Sequence, residues 1–363
     1  MKHDQEAQVV KKSAAIPSTN HSAAPLLALV IPCYNEEAML HITLPELWKK
    51  LDELIKAKLI SDKSFALYVN DGSTDHTWEI LSQAAEEDPQ RVGAISLSHN
   101  RGHQSALLAG LLHAKDYADI TISIDADLQD DLQVIEKMIE AYHKGYDVVC
   151  GVRDDRASDT GFKRGSAQGY YRVMKMLGVE LVYNHADYRM LSRPVLEALS
   201  GYEEVNLFLR GIIPQIGFKS TVVPYRRTER VAGESKYPLR KMLKLAWDGI
   251  TSFSVAPLRA VTLVGSLVFL ASILMAIYIV VRFATGQTVT GWASLTLSLW
   301  ALGGLILLAI GIAGEYIGKI YLETKARPRF HIIAEAGQAN RENQKRDESI
   351  DSTPNDVSSG DSI

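Results

Sequence analysis

Short, unbroken apolar runs recur through the first part of the chain, and each stops abruptly at a polar cluster. Leu26-Leu27-Ala28-Leu29-Val30-Ile31 reads as a strand covered on both faces, since continuous rather than alternating hydrophobicity marks the middle of a parallel sheet. Pro32 ends it, and Cys33-Tyr34-Asn35-Glu36-Glu37 opens a helix expected to reach about Lys58. Phe65 to Val69 predicts a second strand, running into Asn70-Asp71-Gly72-Ser73-Thr74-Asp75, where Ser73 or Thr74 is placed to cap the next helix. Val92 to Leu97 predicts a third, ending in His99-Asn100-Arg101-Gly102-His103 before a helix from about Gln104 to Ala114. Thr121-Ile122-Ser123-Ile124 predicts a fourth, which leaves the core through Asp125-Ala126-Asp127-Leu128-Gln129-Asp130-Asp131. A helix near Leu132–Lys144 and a short strand, Asp147 to Cys150, follow.

Strand and helix in alternation predict an α/β sheet with mainly parallel strands, whose ligands gather beyond the carboxyl ends of the strands. Asn35-Glu36, Asp71, Asn100-Arg101 and Asp125/Asp127 all follow strands directly and should converge on one cleft. Side chains two apart on an extended chain share a side, so Asp125 and Asp127 face one point, with Gln129 a third ligand if the backbone stays extended. Two carboxylates that close repel unless a cation or shared proton offsets them, and oxygen-only ligands favour Mg²⁺ or Mn²⁺ over zinc. None of the turns carries a Gly-rich phosphate loop of either common type, so nucleotide phosphates would need a metal instead.

Beyond the fifth run the character shifts. Arg153, Arg156, Lys163, Arg164 and Arg172 crowd one stretch with Ser166 and Gln168 among them; they form either a solvated basic face or an anion site beside the cleft. Asp187 adds a carboxylate in Ala186-Asp187-Tyr188-Arg189, and Ser220 to Pro224 predicts another strand. A second basic cluster, Arg226-Arg227-Thr228-Glu229-Arg230, leads to Gly233-Glu234-Ser235-Lys236-Tyr237. From Pro238 to Ile250 apolar and cationic positions separate onto two helical faces, as in a helix lying in a membrane interface. Ala260 to Val281 is then free of charge over about 33 Å of helix against a ~30 Å hydrocarbon core, and Ala293 to Ala313 repeats the pattern behind Trp292. Lys236, Arg240, Lys241, Lys244 and Arg259 precede the pair, Lys319, Lys325, Arg327 and Arg329 follow it, and the link from Phe283 to Gly291 carries no charge. That asymmetry places both termini in the cytoplasm, at the inner membrane.

The expected segments are thus a disordered arm over 1–24, a catalytic domain over 25–237, and a juxtamembrane amphipathic helix over 238–256. A two-helix transmembrane hairpin over 257–314, a cytoplasmic segment over 315–335 and a disordered tail over 336–363 complete the chain. A net charge of −4 over 363 residues gives no basic surplus for nucleic acid. Two cysteines, Cys33 and Cys150, each end an apolar run and read as small buried thiols.

As a set, Val30-Ile31-Pro32-Cys33-Tyr34-Asn35-Glu36-Glu37, Asn70-Asp71-Gly72-Ser73-Thr74-Asp75, Asp125-Ala126-Asp127-Leu128-Gln129-Asp130, Gly233-Glu234-Ser235-Lys236-Tyr237 and Gly314-Glu315-Tyr316-Ile317-Gly318 resemble family-2 inverting glycosyltransferases of the GT-A fold. Within them the chain is most similar to the polyprenyl-phosphate group that contains dolichyl-phosphate mannose synthase and the bactoprenol glucosyltransferases. It departs at Asn70, where many members carry Asp, and at His103, where Lys is common. The resemblance implies that Pro32, Tyr34, Glu36 and Asp71 hold the nucleotide, in a donor pocket to which Asn100 and Arg101 also belong. It implies catalytic roles for Asp125, near the ribose and donor sugar, and for Asp127, and a metal held on the diphosphate by Asp127 and Gln129. Arg153, Arg164 and Ser166 match the acceptor-phosphate region, and Arg230 and Lys236 would face the diphosphate or the acceptor phosphate.

The implied reaction moves a hexose, glucose from UDP-glucose first, onto undecaprenyl phosphate with inversion. GDP-mannose or a modified UDP-sugar as donor, a non-catalytic membrane scaffold and a processive synthase are the competing readings; the last lacks its Gln-x-x-Arg-Trp segment. A phosphate monoester, with a second pKa of about 6, is already mostly a dianion at pH 7. A general base would add little, so Asp187, the third catalytic candidate, is read as orienting acceptor or sugar, with base catalysis the weaker role. Homo-oligomerisation is expected by analogy with relatives.

Overall fold

The computed structural model describes residues 24–153, 185–204, 209–225, 256–285 and 291–340. The body of the fold is an eight-stranded sheet built from β1 (Leu27–Cys33), β2 (Phe65–Asn70), β3 (Val92–Leu97), β4 (Ile120–Ser123), β5 (Val148–Arg153), β6 (His185–Ser192), β7 (Ser220–Tyr225) and β8 (Ile332–Gly337). Their order is β7-β5-β6-β4-β1-β2-β3-β8. β4, β1, β2 and β3 run parallel, as the continuous apolar runs imply. β1, β2 and β3 are buried along their whole length. Helices α1 (Glu37–Lys56), α2 (Thr77–Glu87), α3 (His103–Ala114) and α4 (Val134–His143) connect and cover them. One core cluster joins α1, α2 and α4 to the sheet, and the other joins α3. Lys50 is buried between α1 and α4 and is satisfied there, donating to Glu136 Oε1 at 2.7 Å and Gln133 Oε1 at 3.1 Å.

Two strands break the parallel pattern. β6 enters antiparallel between β4 and β5, so its amino end lies at the carboxyl edge of β4. Arg189 pairs with Ser123, and Val152 with His185. Two short helices, α5 (Arg193–Ser200) and α6 (Leu209–Ile216), separate β6 from β7. β7 runs parallel to β5 with Tyr225 beside Arg153, which brings Arg153, Asp187 and Tyr225 to the same sheet edge as Asp125.

Helices α7 (Ala256–Ala284) and α8 (Trp292–Thr324) follow. Each is long and apolar enough to cross a membrane, and their large side chains stand exposed, Phe269 at 68 % and Leu307 at 72 %. A core helix of a water-soluble domain would bury such a surface. α8 runs past the expected end of the hairpin at residue 314, through to Thr324.

The segment after α8 corrects the expected boundaries. Ile332 to Gly337, divided in the sequence reading between a cytoplasmic segment and a disordered tail, pairs antiparallel with β3 as the eighth strand. The unpaired edge of β3 offers a row of backbone donors and acceptors that β8 takes up, and along it Ile332, Ala334 and Ala336 are half-buried while Ile333 and Glu335 stand exposed. Arg329 Nη1 donates to the Tyr202 carbonyl at 2.8 Å and Gln338 Nε2 to the Gln90 carbonyl at 2.8 Å, tying down both ends. The sheet therefore includes residues on both sides of the two long helices. The amphipathic helix expected over 238–256 lies almost wholly outside the described residues, as do the arm up to residue 23 and the chain beyond 340.

Candidate active site

Three loops at the carboxyl edge form one wall of the cleft, and backbone hydrogen bonds zip them together. Asn35, in the left-handed region at φ 54°, accepts from the Thr74 amide through Oδ1 at 2.9 Å, while its own amide donates to Ser73 Oγ at 3.0 Å. The Glu36 amide donates to Thr77 Oγ1 at 2.9 Å and the Glu37 amide to Asp75 Oδ2 at 3.2 Å. These contacts replace the expected cap. Ser73 and Thr74 hold the neighbouring loop, and Asp75 Oδ1 accepts from the Thr77 amide at 3.1 Å where α2 begins.

Asp71 joins the second loop to the third. Its Oδ1 accepts from the Arg101 amide at 2.7 Å and its Oδ2 from the Gly102 amide at 2.9 Å. Burial raises its pKa, and those two amides work in the opposite direction. Gly72 makes this close approach possible: at φ +62° an added Cβ would lie 2.5 Å from the His99 carbonyl carbon. Pro32 is buried in β1, whereas Tyr34, 45 % exposed, Glu36, Asn100 and Arg101 line the surface of this wall. The six residues expected in the donor pocket thus gather at one edge, with Asp71 acting also as the bracket of the loops.

The carboxylate stretch departs from the extended geometry expected of it. β4 stops at Ser123, and Leu128 takes the left-handed conformation at φ 50°. Asp127 Oδ1 then accepts from the Gln129 amide at 3.2 Å, which folds the segment into a turn. Thr43 Oγ1 steadies it from α1 by donating to the Ala126 carbonyl at 2.7 Å. Gln129 is only 6 % exposed, so of the two expected metal ligands Asp127 is the one presented at the cleft surface. Among the described residues no three His, Cys, Asp or Glu side chains form a ready cation cage. The chemistry still suits a hard cation: burial, and then the charges of Asp127 and Asp187, raise the pKa of Asp125 against the opposing pull of His103. A cation at Asp127 shared with a diphosphate would relieve that repulsion.

The facing wall is built from charge pairs. Arg210 from α6 grips Asp187 with both ends of its fork, Nε to Oδ1 at 3.0 Å and Nη2 to Oδ2 at 2.9 Å. Arg189, 2 % exposed, donates to Asp187 Oδ1 at 3.2 Å from behind. Burial of Asp187, 7 % exposed, works to raise its pKa, but hydrogen bonds from His103 and Arg210 and the charges of both arginines hold it far below the usual carboxylate range. A carboxylate so held is a poor proton acceptor near neutrality. Nearby, Tyr225 donates to Asp130 Oδ1 at 2.5 Å and accepts from Arg153 Nε at 3.1 Å, which fixes the guanidinium at the rim of β5.

Arg153 is the described member of the expected acceptor-phosphate set; Arg164, Ser166, Arg230 and Lys236 lie outside the described residues. Sequence reasoning did not single out Arg210, Arg189, Asp130 or Tyr225. For Arg210 the available signal was an arginine at the start of an apolar segment, which many surface helices share.

Comparison with known proteins settles the family. The profile of Glycosyl transferase family 2 matches residues 28–200. The uncharacterized glycosyltransferase YkoT of Bacillus subtilis is 51 % identical over 308 residues, covering 85 % of this chain and 91 % of its own. This chain is a family-2 glycosyltransferase. The bactoprenol glucosyl transferase of Shigella phage SfX is 40 % identical over 308 residues, 84 % of this chain and 98 % of that one. Among solved structures, a mannosyltransferase of Pyrobaculum calidifontis in complex with GDP-Man and Mn²⁺ covers 88 % of this chain and 91 % of its own, at 17 % identity and a TM-score of 0.43. The enzyme is therefore related to bactoprenol glucosyl transferases along nearly their whole length, and both cleft walls and both long helices fall within a chain of that family.

Proposed function

We propose that the enzyme transfers a hexose, glucose from UDP-glucose in the first instance, to the phosphate of a membrane polyprenol such as undecaprenyl phosphate, at the cytoplasmic face of the inner membrane. One observation carries this reading. The chain leaves the sheet toward α7 from the carboxyl end of β7 and returns from α8 at Ile332, beside Leu97. Both junctions lie on the cleft edge, so helices seated in a bilayer would hold the cleft toward its headgroups, where a lipid phosphate resides. The relationship to bactoprenol glucosyl transferases supports the same acceptor.

In this mechanism Tyr34, Glu36, Asn100, Arg101 and the Asp71-bracketed loops bind the nucleotide. Asp127 and Gln129 would hold a Mg²⁺ or Mn²⁺ ion. Such an ion would supply Lewis-acid stabilisation to the departing diphosphate. Asp125 faces the donor sugar. Asp187, pinned by two arginines, orients the reacting groups without taking a proton, because the acceptor phosphate arrives ionised. Arg153 draws that anion in, with Arg164, Ser166, Arg230 and Lys236 proposed to complete its site.

Purified enzyme in detergent or liposomes should convert radiolabelled UDP-glucose and undecaprenyl phosphate into a lipid-extractable product, and chelator should stop it. GDP-mannose and other UDP-sugars run in parallel identify a different donor. Absence of labelled lipid with every donor would leave the protein as a scaffold and overturn the proposal.

A further inference from the structure

One group in the cleft carries a charge that can change near neutral pH. His103 is the first residue of α3, directly after the loop bracketed by Asp71. Its Nε2 lies 3.5 Å from Asp187 Oδ2 and 3.7 Å from Asp125 Oδ1, so one ring nitrogen faces both the carboxylate that follows β4 and the carboxylate of the charged wall. Asp187 has other cations: Arg210 holds it in both teeth of a fork and Arg189 backs it. Asp125 stands differently, since Asp127 and Asp187 both push against its charge while His103 and Arg153 pull for it. A neutral imidazole offers Asp125 a dipole only, whereas an imidazolium offers a full charge at the carboxylate.

We propose that His103 is a positioning residue for sugar transfer: as an imidazolium it braces Asp125 against the Asp187–Arg210 pair, and transfer requires that protonated form. The inference rests on the reading of Asp125 as the carboxylate that meets the donor sugar.

The groups that act on this ring come from every surrounding element. Asp125 follows β4, Asp187 lies on β6, Arg210 on α6, and Asp71 follows β2, with His99 on the loop before α3 acting on Asp71. Burial works to lower the pKa of His103 and Arg210 adds to that, but the hydrogen bond to Asp187 and the charges of Asp125 and Asp187 outweigh both, so it is raised above 6.5. A raised histidine pKa means that the brace is complete at low pH and is lost as pH rises through the raised value. Deprotonation of the acceptor phosphate, with its pKa of about 6, acts only on the acidic side. The alkaline limb of the rate profile therefore reports on His103.

The test compares wild type with His103→Gln and His103→Lys in the UDP-glucose and undecaprenyl phosphate assay between about pH 6 and 9.5. His103→Gln should lower kcat about tenfold or more with little change in donor KM, and its alkaline limb should vanish. His103→Lys carries a charge across the whole range, so it should restore rate at alkaline pH, where wild type declines. A Gln variant with the wild-type profile, or a Lys variant with the wild-type alkaline limb, overturns the proposal. Asp125→Asn separates the two readings: if it stays fully active, the role given to Asp125 fails first. Independently of turnover, the ring of His103, followed by NMR of histidine-labelled full-length enzyme and assigned by loss of its signal in His103→Gln, should titrate above 6.5 and move down in Asp125→Asn. Titration at or below the ordinary value, unmoved by Asp125→Asn, overturns it as well.

Discussion

The two walls of the cleft are held by different physics. On the side of β1, β2 and β3, short polar motifs after each strand bind one another through backbone amides and small side-chain acceptors, as in Asn35 with Thr74 and Asp71 with Arg101 and Gly102. On the side of β5, β6, β7 and α6, an ion pair and a hydrogen bond to a carboxylate join residues distant in sequence and do the same work, as in Asp187 with Arg210 and Tyr225 with Asp130. Under the proposed function, the wall of amides would present a shaped surface to a nucleotide, and the wall of paired charges would set the field that a diphosphate and an incoming anion must share. Substitutions should therefore fail in different ways on the two sides.

The largest effect is expected between the walls. Asp127→Ala should lower transfer by about 10²–10³-fold, the scale of losing one group that stabilises developing charge. Adding Mg²⁺ or Mn²⁺ should not restore it, and full turnover in this variant, or in wild type with EDTA, would remove the metal from the account. Next comes Asp187→Ala, which leaves Arg189 buried without its carboxylate. Breaking a buried pair costs about 3–5 kcal/mol, visible as a lower midpoint in thermal or denaturant unfolding. Asp187→Asn should cost less and should slow transfer less than Asp127→Asn does. The sign of the pH effect follows from the depressed pKa of Asp187. Its contribution is present above the ordinary carboxylate value of about 3.9 and is lost as pH falls through the depressed one. Comparing wild type with the Asn variant in acid should show that loss only in wild type.

On the amide wall the effect is smaller and purely conformational. Gly72→Ala forces a β-carbon against the His99 backbone at positive φ, costing about 1–3 kcal/mol and raising donor KM while the acceptor KM stays put. The smallest change is Tyr225→Phe, which removes one hydrogen bond to Asp130 and one to Arg153. About 1–2 kcal/mol of stability and a few-fold rise in acceptor KM are expected, with donor KM unchanged. Equal shifts in both KM values for either variant would show that the walls are not separable.

Continuous apolar runs at β1, β2 and β3 determined their burial and their parallel pairing, because only a strand covered on both faces tolerates such a run. The polar clusters that follow them could be placed on one edge from chain order alone, and the two long apolar helices from length and charge. What lay beyond reach was where separate segments meet. Alternation along an extended chain put Asp125, Asp127 and Gln129 on one side; Asp125 and Asp127 do stay close enough to repel, but a left-handed Leu128 and the Asp127 turn break the extended run before Gln129. The short run from Ile332 to Ala336 sits after a transmembrane pattern and carries no local sign that β3 has an open edge. Likewise, nothing near Asp187 announces that Arg210 and His103 will reach it, 23 residues later for the arginine. Periodicity is a property of neighbours in the chain, and it records which face of an element is covered. Which element does the covering, and which charges thereby come within a few ångströms, depends on the free energy of burying them together, and only the folded arrangement decides it.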